Sequence, residues 1–374
     1  MHLIGVWLQN FRGFADKVFK FHQPVVVVFG PNAAGKSSLL EAIQLASTGS
    51  SFRAVKIEEM VAFGSEVGRV QIKINEDGGG GEDDSEAAEA TGENAADDAT
   101  TLEVVVNTGL VQGKRTQKRL FSVNGARRRR ADLVGRFLTV VFRPEDMRLV
   151  EGSPARRRAF LDVPLSLQSR AYERSLKTYE QTLIRRNKLL QQVREGEAPR
   201  STLTFWNLTL LKHGQILQEA RREFLGSFNH HGFELSLRVE YLPSVISEER
   251  QEQYLSREIA AGHTLIGPHK DDFRLTFLGA KAAEPHDLAL YGSRGQQRLG
   301  VLWLKIGELL YLESKLAQPV VLLLDDILSE LDLEARDLVL DLLTARQAIV
   351  TVADPQVLTW LKEKSLPFDL ITLE

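Results

Sequence analysis

The stretch PVVVVFGPNAAGKSSLLEAI, residues 24–43, decides the fold. Val25 to Phe29 is a β-branched run that suits a strand buried on both faces, and a helix is expected directly behind it from Ser37. Between them GPNAAGKS, Gly30 to Ser37, satisfies the phosphate-loop pattern in the setting the pattern requires, a strand before it and a helix after it. In the loop Gly30-Pro31-Asn32-Ala33-Ala34-Gly35 the glycines let backbone N–H groups, those of every residue but Pro31, curl round phosphate oxygens, and the helix start adds the positive end of its dipole. Lys36 is placed to reach a β/γ-phosphate and Ser37, followed by Ser38, to offer a hydroxyl to magnesium.

A second apolar run, VVLLL at residues 320–324, ends in Asp325 and Asp326. A buried strand that delivers a carboxylate is the expected partner of a phosphate loop: Asp325 is a magnesium ligand candidate and Asp326, at the strand tip, a candidate general base. In isolation an Asp pair after a strand also fits turn and N-cap chemistry. A third element, YGSRGQQRLGVLWLKIGELL at residues 291–310, runs a short polar segment into an amphipathic helix, which presents Ser293 and free N–H groups at a helix start. An ordinary helix cap is the alternative. Two anion-binding helix starts in a chain with one phosphate loop predict that the second serves the nucleotide of another copy, in two head-to-tail sites related by a twofold axis.

Working outward, LIGVWLQ and VFKF precede the first apolar strand, QIKI and LEVVVNT read as paired strands, and 75–101 is Gly, Ala and acid with almost no large apolar group. That composition predicts a disordered hairpin insertion. From Pro154 to about Ala261 the period becomes helical: Leu176, Tyr179, Leu183 and Leu190 share one face, and Leu203, Trp206, Leu210, Leu217, Ala220 and Phe224 another, so an antiparallel helical hairpin is expected. The fold class is α/β, with an ATPase head from 1–165, a helical arm over 166–262 and the rest of the head over 263–374.

The 374 residues, 43% hydrophobic and 26% charged, are ordinary for a globular protein. With no cysteine there is no disulfide, thiolate zinc site or cysteine nucleophile. No signal peptide is recognisable and no apolar run reaches eighteen residues, so a cytoplasmic protein without membrane contact is expected. The net charge of −3 conceals a segment, 76–98, with ten acids and no base; without it the balance is 47 − 40 = +7. Basic residues clump at Lys114 to Arg119, Arg127 to Arg130, Arg156 to Arg158 and Arg185 to Lys188, which suits a polyanion as readily as a solvated face.

In order along the chain, NFRGF, GPNAAGKSSLLEAI, SRGQQR and LLLDDILSELD resemble the heads of the ABC superfamily in its chromosome-maintenance branch. Within that branch SFRAVKIEEMV (51–61), VVFRPEDMRLVEGSPARRRAFLD (140–162), TLIGPHKDDFRL (264–275) and GSRGQQR resemble the RecF family of bacterial recombination mediators. The resemblance implies an ATPase head plus arm that dimerises on ATP and Mg2+, binds DNA, and acts with RecR and RecO to load RecA. It assigns Asn32, Lys36, Ser37 and Asp325 to nucleotide and magnesium, Asp326 to hydrolysis, Ser293, Gly295 and Gln296 to the partner's ATP, Asp332 to the loop linking the two sites, and Arg12 to the nucleotide phosphates.

Departures from the pattern are the acidic insertion, Thr351 where transporter-type relatives carry a switch histidine, and Arg143 ahead of Glu145 and Asp146 where a glutamine loop is sought. Asp326 is one methylene shorter than the glutamate of transporter ATPases, which predicts slow turnover. DNA is expected to be held through phosphates by Arg127 to Arg130 in preference to Arg156 to Arg158, with little sequence preference. The alternative function is an ATP-binding scaffold that never hydrolyses.

Overall fold

The computed structural model describes residues 1–75, 99–229, 236–279 and 285–374. The expected insertion at 75–101 falls largely on 76–98, outside the described residues; its flanks are placed, because strand Val67–Asn75 pairs antiparallel with Ala99–Asn107 in a register that sets Asn75 opposite Ala99. The chain divides into two compact units, 1–144 with 317–374, and 145–316.

The first unit is built on a parallel sheet ordered Leu138–Phe142, Val320–Asp325, Ala348–Val352, Val25–Phe29, Phe368–Thr372. Val25 to Val28 and Val320 to Leu324 are all buried, as continuous apolar runs in a two-sided parallel sheet must be. Parallel strands bring all their carboxyl ends to one edge. In the register found, Asp325 lies opposite Thr351 and Thr351 opposite Val28, two residues before the phosphate loop. An antiparallel sheet, ordered Phe14–Lys20, His2–Phe11, Val67–Asn75, Ala99–Asn107, Arg119–Val123, Ala126–Arg128, supplies the second layer. Its strands alternate: Val70, Ile72, Ile74, Leu102, Val104 and Val106 point inward. Helix Lys36–Thr48 shares one core with both sheets through Leu39, Leu40, Ile43 and Ala46 and is buried on nearly every side, its polar Glu41 and Ser47 included.

The second unit holds the expected helical hairpin, Arg170–Arg194 and Thr204–Phe228. Ser169 caps the first helix by accepting from the Tyr172 amide, and Tyr179, Leu190, Leu210, Leu217 and Phe224 are buried along the predicted stripes. Helices Pro154–Gln168 and Arg294–Leu316 pack on the same hairpin. Phe224 meets Phe160 at 5.9 Å, Phe228 at 4.7 Å and Tyr311 at 4.7 Å between ring centroids, and Phe228 meets Trp303 at 6.0 Å. This aromatic core moves the division of the chain to 144 and 316, away from the 165 and 262 expected from periodicity, because residues 145–165 and 263–316 bury their apolar faces against the hairpin. Among the described residues no helix is long and apolar enough to cross a membrane.

GPHKDD, residues 267–272, is the polar centre of this unit. Asp271, fully buried, accepts from Arg221, Gln218, Tyr241 and the Ser244 amide. Arg221, also buried, bridges Asp271, Asp162 and the Pro268 carbonyl. Beside it His269 lies between the Tyr179 hydroxyl at 2.8 Å and the Thr264 carbonyl at 3.1 Å. A carbonyl only accepts, so Nε2 carries the proton and Nδ1 accepts from tyrosine. Burial, joined by the Lys270 and Arg158 cations, pushes His269 from 6.5 to about 4 against the Thr264 bond. The unfolded chain takes up this proton below pH 6.5 and the folded one only near pH 4, so folding weakens as pH falls through that window and the loss is complete below it. A loss of up to about 3 kcal/mol is expected. Urea unfolding at pH 7 and pH 4.5 checks it: His269→Gln should flatten the difference relative to the parent chain.

Candidate nucleotide site

A cleft of about 480 Å³ opens where the parallel strands end, lined from the phosphate loop by Asn32, Ala33, Gly35, Lys36, Ser37 and Ser38 and from the strand tip by Asp325 and Asp326. That volume suits a small-molecule ligand. The local backbone explains the loop sequence. Gly35 has φ 97°, and a Cβ there would come within 2.9 Å of the Phe14 ring. Gly30 approaches the Leu373 carbonyl so closely that a Cβ would lie 2.4 Å from its oxygen. Ala33 also takes a positive φ, 70°, so consecutive amides turn towards the cleft. Gly30, Pro31 and Ala34 serve the loop from behind: the first two offer their carbonyls to Lys36 Nζ at 2.7 and 2.8 Å, and Ala34 packs on the core.

Ser37 and Asp325, 288 residues apart, meet: the Ser37 hydroxyl donates to Asp325 Oδ1 at 2.8 Å. Thr351 organises both aspartates. Its buried hydroxyl lies 3.0 Å from Asp325 Oδ1 and accepts from the Asp326 amide at 2.9 Å. Asp326 sits in the left-handed region at φ 52°, which turns it out of the strand line, and its Oδ1 accepts from the Ala353 amide. The adjacent hydroxyl and carboxylate oxygens are hard donors of the kind magnesium takes, and the rest of its shell would be water and phosphate. Among the described residues no cluster of three or more His, Asp or Glu side chains offers a fuller metal site.

Arg12 reaches the cleft wall, but Nε and Nη2 clamp the buried Glu41 at 2.9 and 2.8 Å while Nη1 donates to the Glu59 carbonyl. Sequence reasoning did not find Glu41, Phe14, or the rim residues Arg53, Glu59 and Val61; only the SFRAVKIEEMV resemblance touched that rim. Arg143 stacks on Phe52 at 4.8 Å and donates to its carbonyl, while Glu145 and Asp146 belong to the second unit.

The signature segment GSRGQQR, residues 292–298, lies in the second unit at the start of helix Arg294–Leu316. Ser293 Oγ accepts from the Gln296 amide at 3.3 Å and Gln296 Oε1 accepts from the Ser293 amide at 2.9 Å, a reciprocal capping box. The cap uses one lone pair of the Ser293 oxygen and leaves its O–H proton for another acceptor. The Arg294 and Gly295 amides have no acceptor among the described residues. Asp332 caps helix Leu333–Ala345 by accepting from the Ala335 amide.

Comparison with known proteins decides the family. The model of the AAA domain matches residues 6–203. The DNA replication and repair protein RecF of Moorella thermoacetica is 34% identical over 362 residues, which are 93% of this chain and 88% of that protein. The chain belongs to the RecF family. The RecF of Caldanaerobacter subterraneus subsp. tengcongensis is 31% identical, with 94% of each chain covered. A solved structure of the recombination mediator RecF with ATPrS in the RecFOR pathway superposes with a TM-score of 0.78 at 29% identity, covering 94% of this chain and 92% of that one. A RecF–ATP structure gives 0.77 at the same identity. The expected α/β head with a helical lobe is the architecture present, and solved RecF structures with ATP share it.

Proposed function

We propose that this chain is an ATP-dependent DNA-binding recombination mediator in which two copies close on two nucleotides. The meeting of Ser37, Thr351, Asp325 and Asp326 at the mouth of the phosphate loop carries the proposal. Gly30 to Ser38 cradle the phosphates through amides and the Lys36 ammonium, Arg12 steadies the rim through Glu41, and Asp326 takes a proton from the attacking water. Ser37 and Asp325 would hold magnesium, which when bound neutralises phosphate charge. Ser293, Gly295 and Gln296 of a second copy complete each site with a hydroxyl proton and helix-start amides, and Asp332 links the pair. Closure is stable only with nucleotide, because ATP binds the closed dimer more tightly than the open monomer.

Light scattering in Mg-ATP tests the composite site. The parent chain is expected as a dimer and Ser293→Arg as a monomer that still binds nucleotide, since the cleft contains no residue of the signature. A Ser293→Arg variant that dimerises fully would remove the signature from the interface.

DNA is taken up through phosphates by exposed cations on the edge of the antiparallel sheet and on the short hairpin Leu110–Val111 with Lys114–Arg115. Ala126–Arg128 is an edge strand with all three residues exposed, and Lys114 and Arg115 form a second exposed pair. Arg157 and Arg158, by contrast, are turned onto Asp272 and the Asp271 carbonyl. Charged edges also guard against strand pairing, so the test must read phosphate contacts. The double variant Arg127→Glu, Arg128→Glu is expected to lower the slope of log affinity against log salt by about 2 per chain bound; an unchanged slope would exclude this edge. On this reading the protein works in the cytoplasm beside RecR and RecO to load RecA.

A further inference from the structure

Single exposed aromatics are ordinary on protein surfaces. Among the exposed large apolar side chains, two pairs, each with one aromatic, lie beside the two halves of the proposed composite site. The segment that supplies Arg53, Glu59 and Val61 to the cleft also carries Val55, 92% exposed, and Phe63, fully exposed. Phe63 stands at the tip of a tight turn, ahead of Gly64 at φ 80°, and the turn is held by Ala62 N–H to the Asn10 carbonyl and Ser65 N–H to the Ala62 carbonyl. The charged residues nearest Phe63 along the chain are acids, Glu59 and Glu66, whose carboxylates bond the backbone amides of Val55 and Gln112, while Val55 at the other end of the rim lies between Arg53 and Lys56. An apolar tip flanked by carboxylates is a poor wedge for DNA and a good one for a protein surface that is apolar and basic.

Such a surface exists on the other unit. Leu288–Tyr291, which leads into Ser293, buries Leu288 and leaves Leu290 and Tyr291 each 73% exposed. The next charged residue along the chain is Arg294, which is exposed. Apolar pair matches apolar pair, and base matches acid.

We propose that the Val55–Phe63 rim of one copy packs on the Leu290–Tyr291 shoulder of a second copy, with Arg294 facing Glu59 and Glu66, to form an apolar collar that seals the nucleotide site. The collar rests on the ATP-dimer reading. By twofold symmetry each contact is made twice, so each truncation counts twice. Sedimentation equilibrium of the full chain in Mg-ATP is the measurement, with a fluorescent ATP analogue at concentrations where the chain is monomeric as control. Phe63→Ala and Tyr291→Ala are each expected to raise the dimer dissociation constant about tenfold or more while nucleotide binding by the monomer stays unchanged. The double variant should lose less than the product of the two, because the side chains share a contact. Fully multiplicative losses would show that they do not touch, and singles that dimerise like the parent would overturn the collar while leaving the dimer intact. A parent chain that stays monomeric in Mg-ATP would overturn the dimer itself, and the collar with it.

Discussion

Lys36→Met is expected to weaken Mg-ATP binding by about two orders of magnitude and to abolish nucleotide-dependent dimerisation. The lysine is only 6% exposed, and its Nζ is held at 2.7 and 2.8 Å by the Gly30 and Pro31 carbonyls in the wall of the cleft that would take the phosphates. Methionine keeps the length and apolar stem and removes the charge. A charge-assisted hydrogen bond contributes about 1.5–3 kcal/mol, and 1.4 kcal/mol is a factor of ten, so one such bond to phosphate accounts for about one to two decades and the two carbonyls left without a donor add to the loss. The fold should survive, because the helix that follows is anchored by Leu39, Leu40 and Ile43 in the core. Calorimetric titration with Mg-ATP gives the affinity directly; binding within threefold of the parent would show that the loop amides alone hold the nucleotide.

The parts of this molecule that local chemistry dictates were legible in its sequence. VVVVF and VVLLL had to be two-sided strands because no residue in them tolerates water, and a glycine-rich loop between such a strand and a helix has few other uses. The helical hairpin was readable from its three-and-four spacing. What local pattern does not encode is which distant groups meet. Arg12 and Glu41 form an ion pair with Glu41 fully buried, and Phe14 fills the space over Gly35 that a Cβ would need. Neither contact has a periodicity. Thr351 was singled out for its position, but its part in aligning both aspartates follows from the strand register, which sets it opposite Asp325. The unit boundary was misjudged for a related reason. Phe160 and Trp303 lie 143 positions apart, and only tertiary packing shows that both belong to the core around Phe224 and Phe228. Arg221 is buried in an ion pair with Asp271, 50 positions away, which no local spacing encodes. The Ser293 region was ambiguous by nature: a capping box and a phosphate-binding helix start use the same residues, and the structure contains the first without removing the second.

Asp326→Asn should reduce phosphate release by about 10²- to 10⁴-fold, the usual contribution of a positioned general base, while ATP binding and the ATP dimer persist. The substitution is close to silent structurally. Asparagine tolerates the left-handed backbone that Asp326 adopts at φ 52°, its Oδ1 can still accept from the Ala353 amide, and the bonds from the Asp326 backbone to Thr351 and Ser329 are untouched. Only the proton acceptor is lost. The parent rate itself is expected to be low, below about one per second, because an aspartate at this strand tip reaches one methylene less far than a glutamate and a small misplacement of a base is costly. Single-turnover phosphate release separates three cases. A low parent rate that falls further in Asp326→Asn identifies the base; equal, measurable rates place the base on another residue. No release from the parent, with or without DNA, would make the chain an ATP-dependent scaffold, opened by nucleotide exchange instead of by hydrolysis.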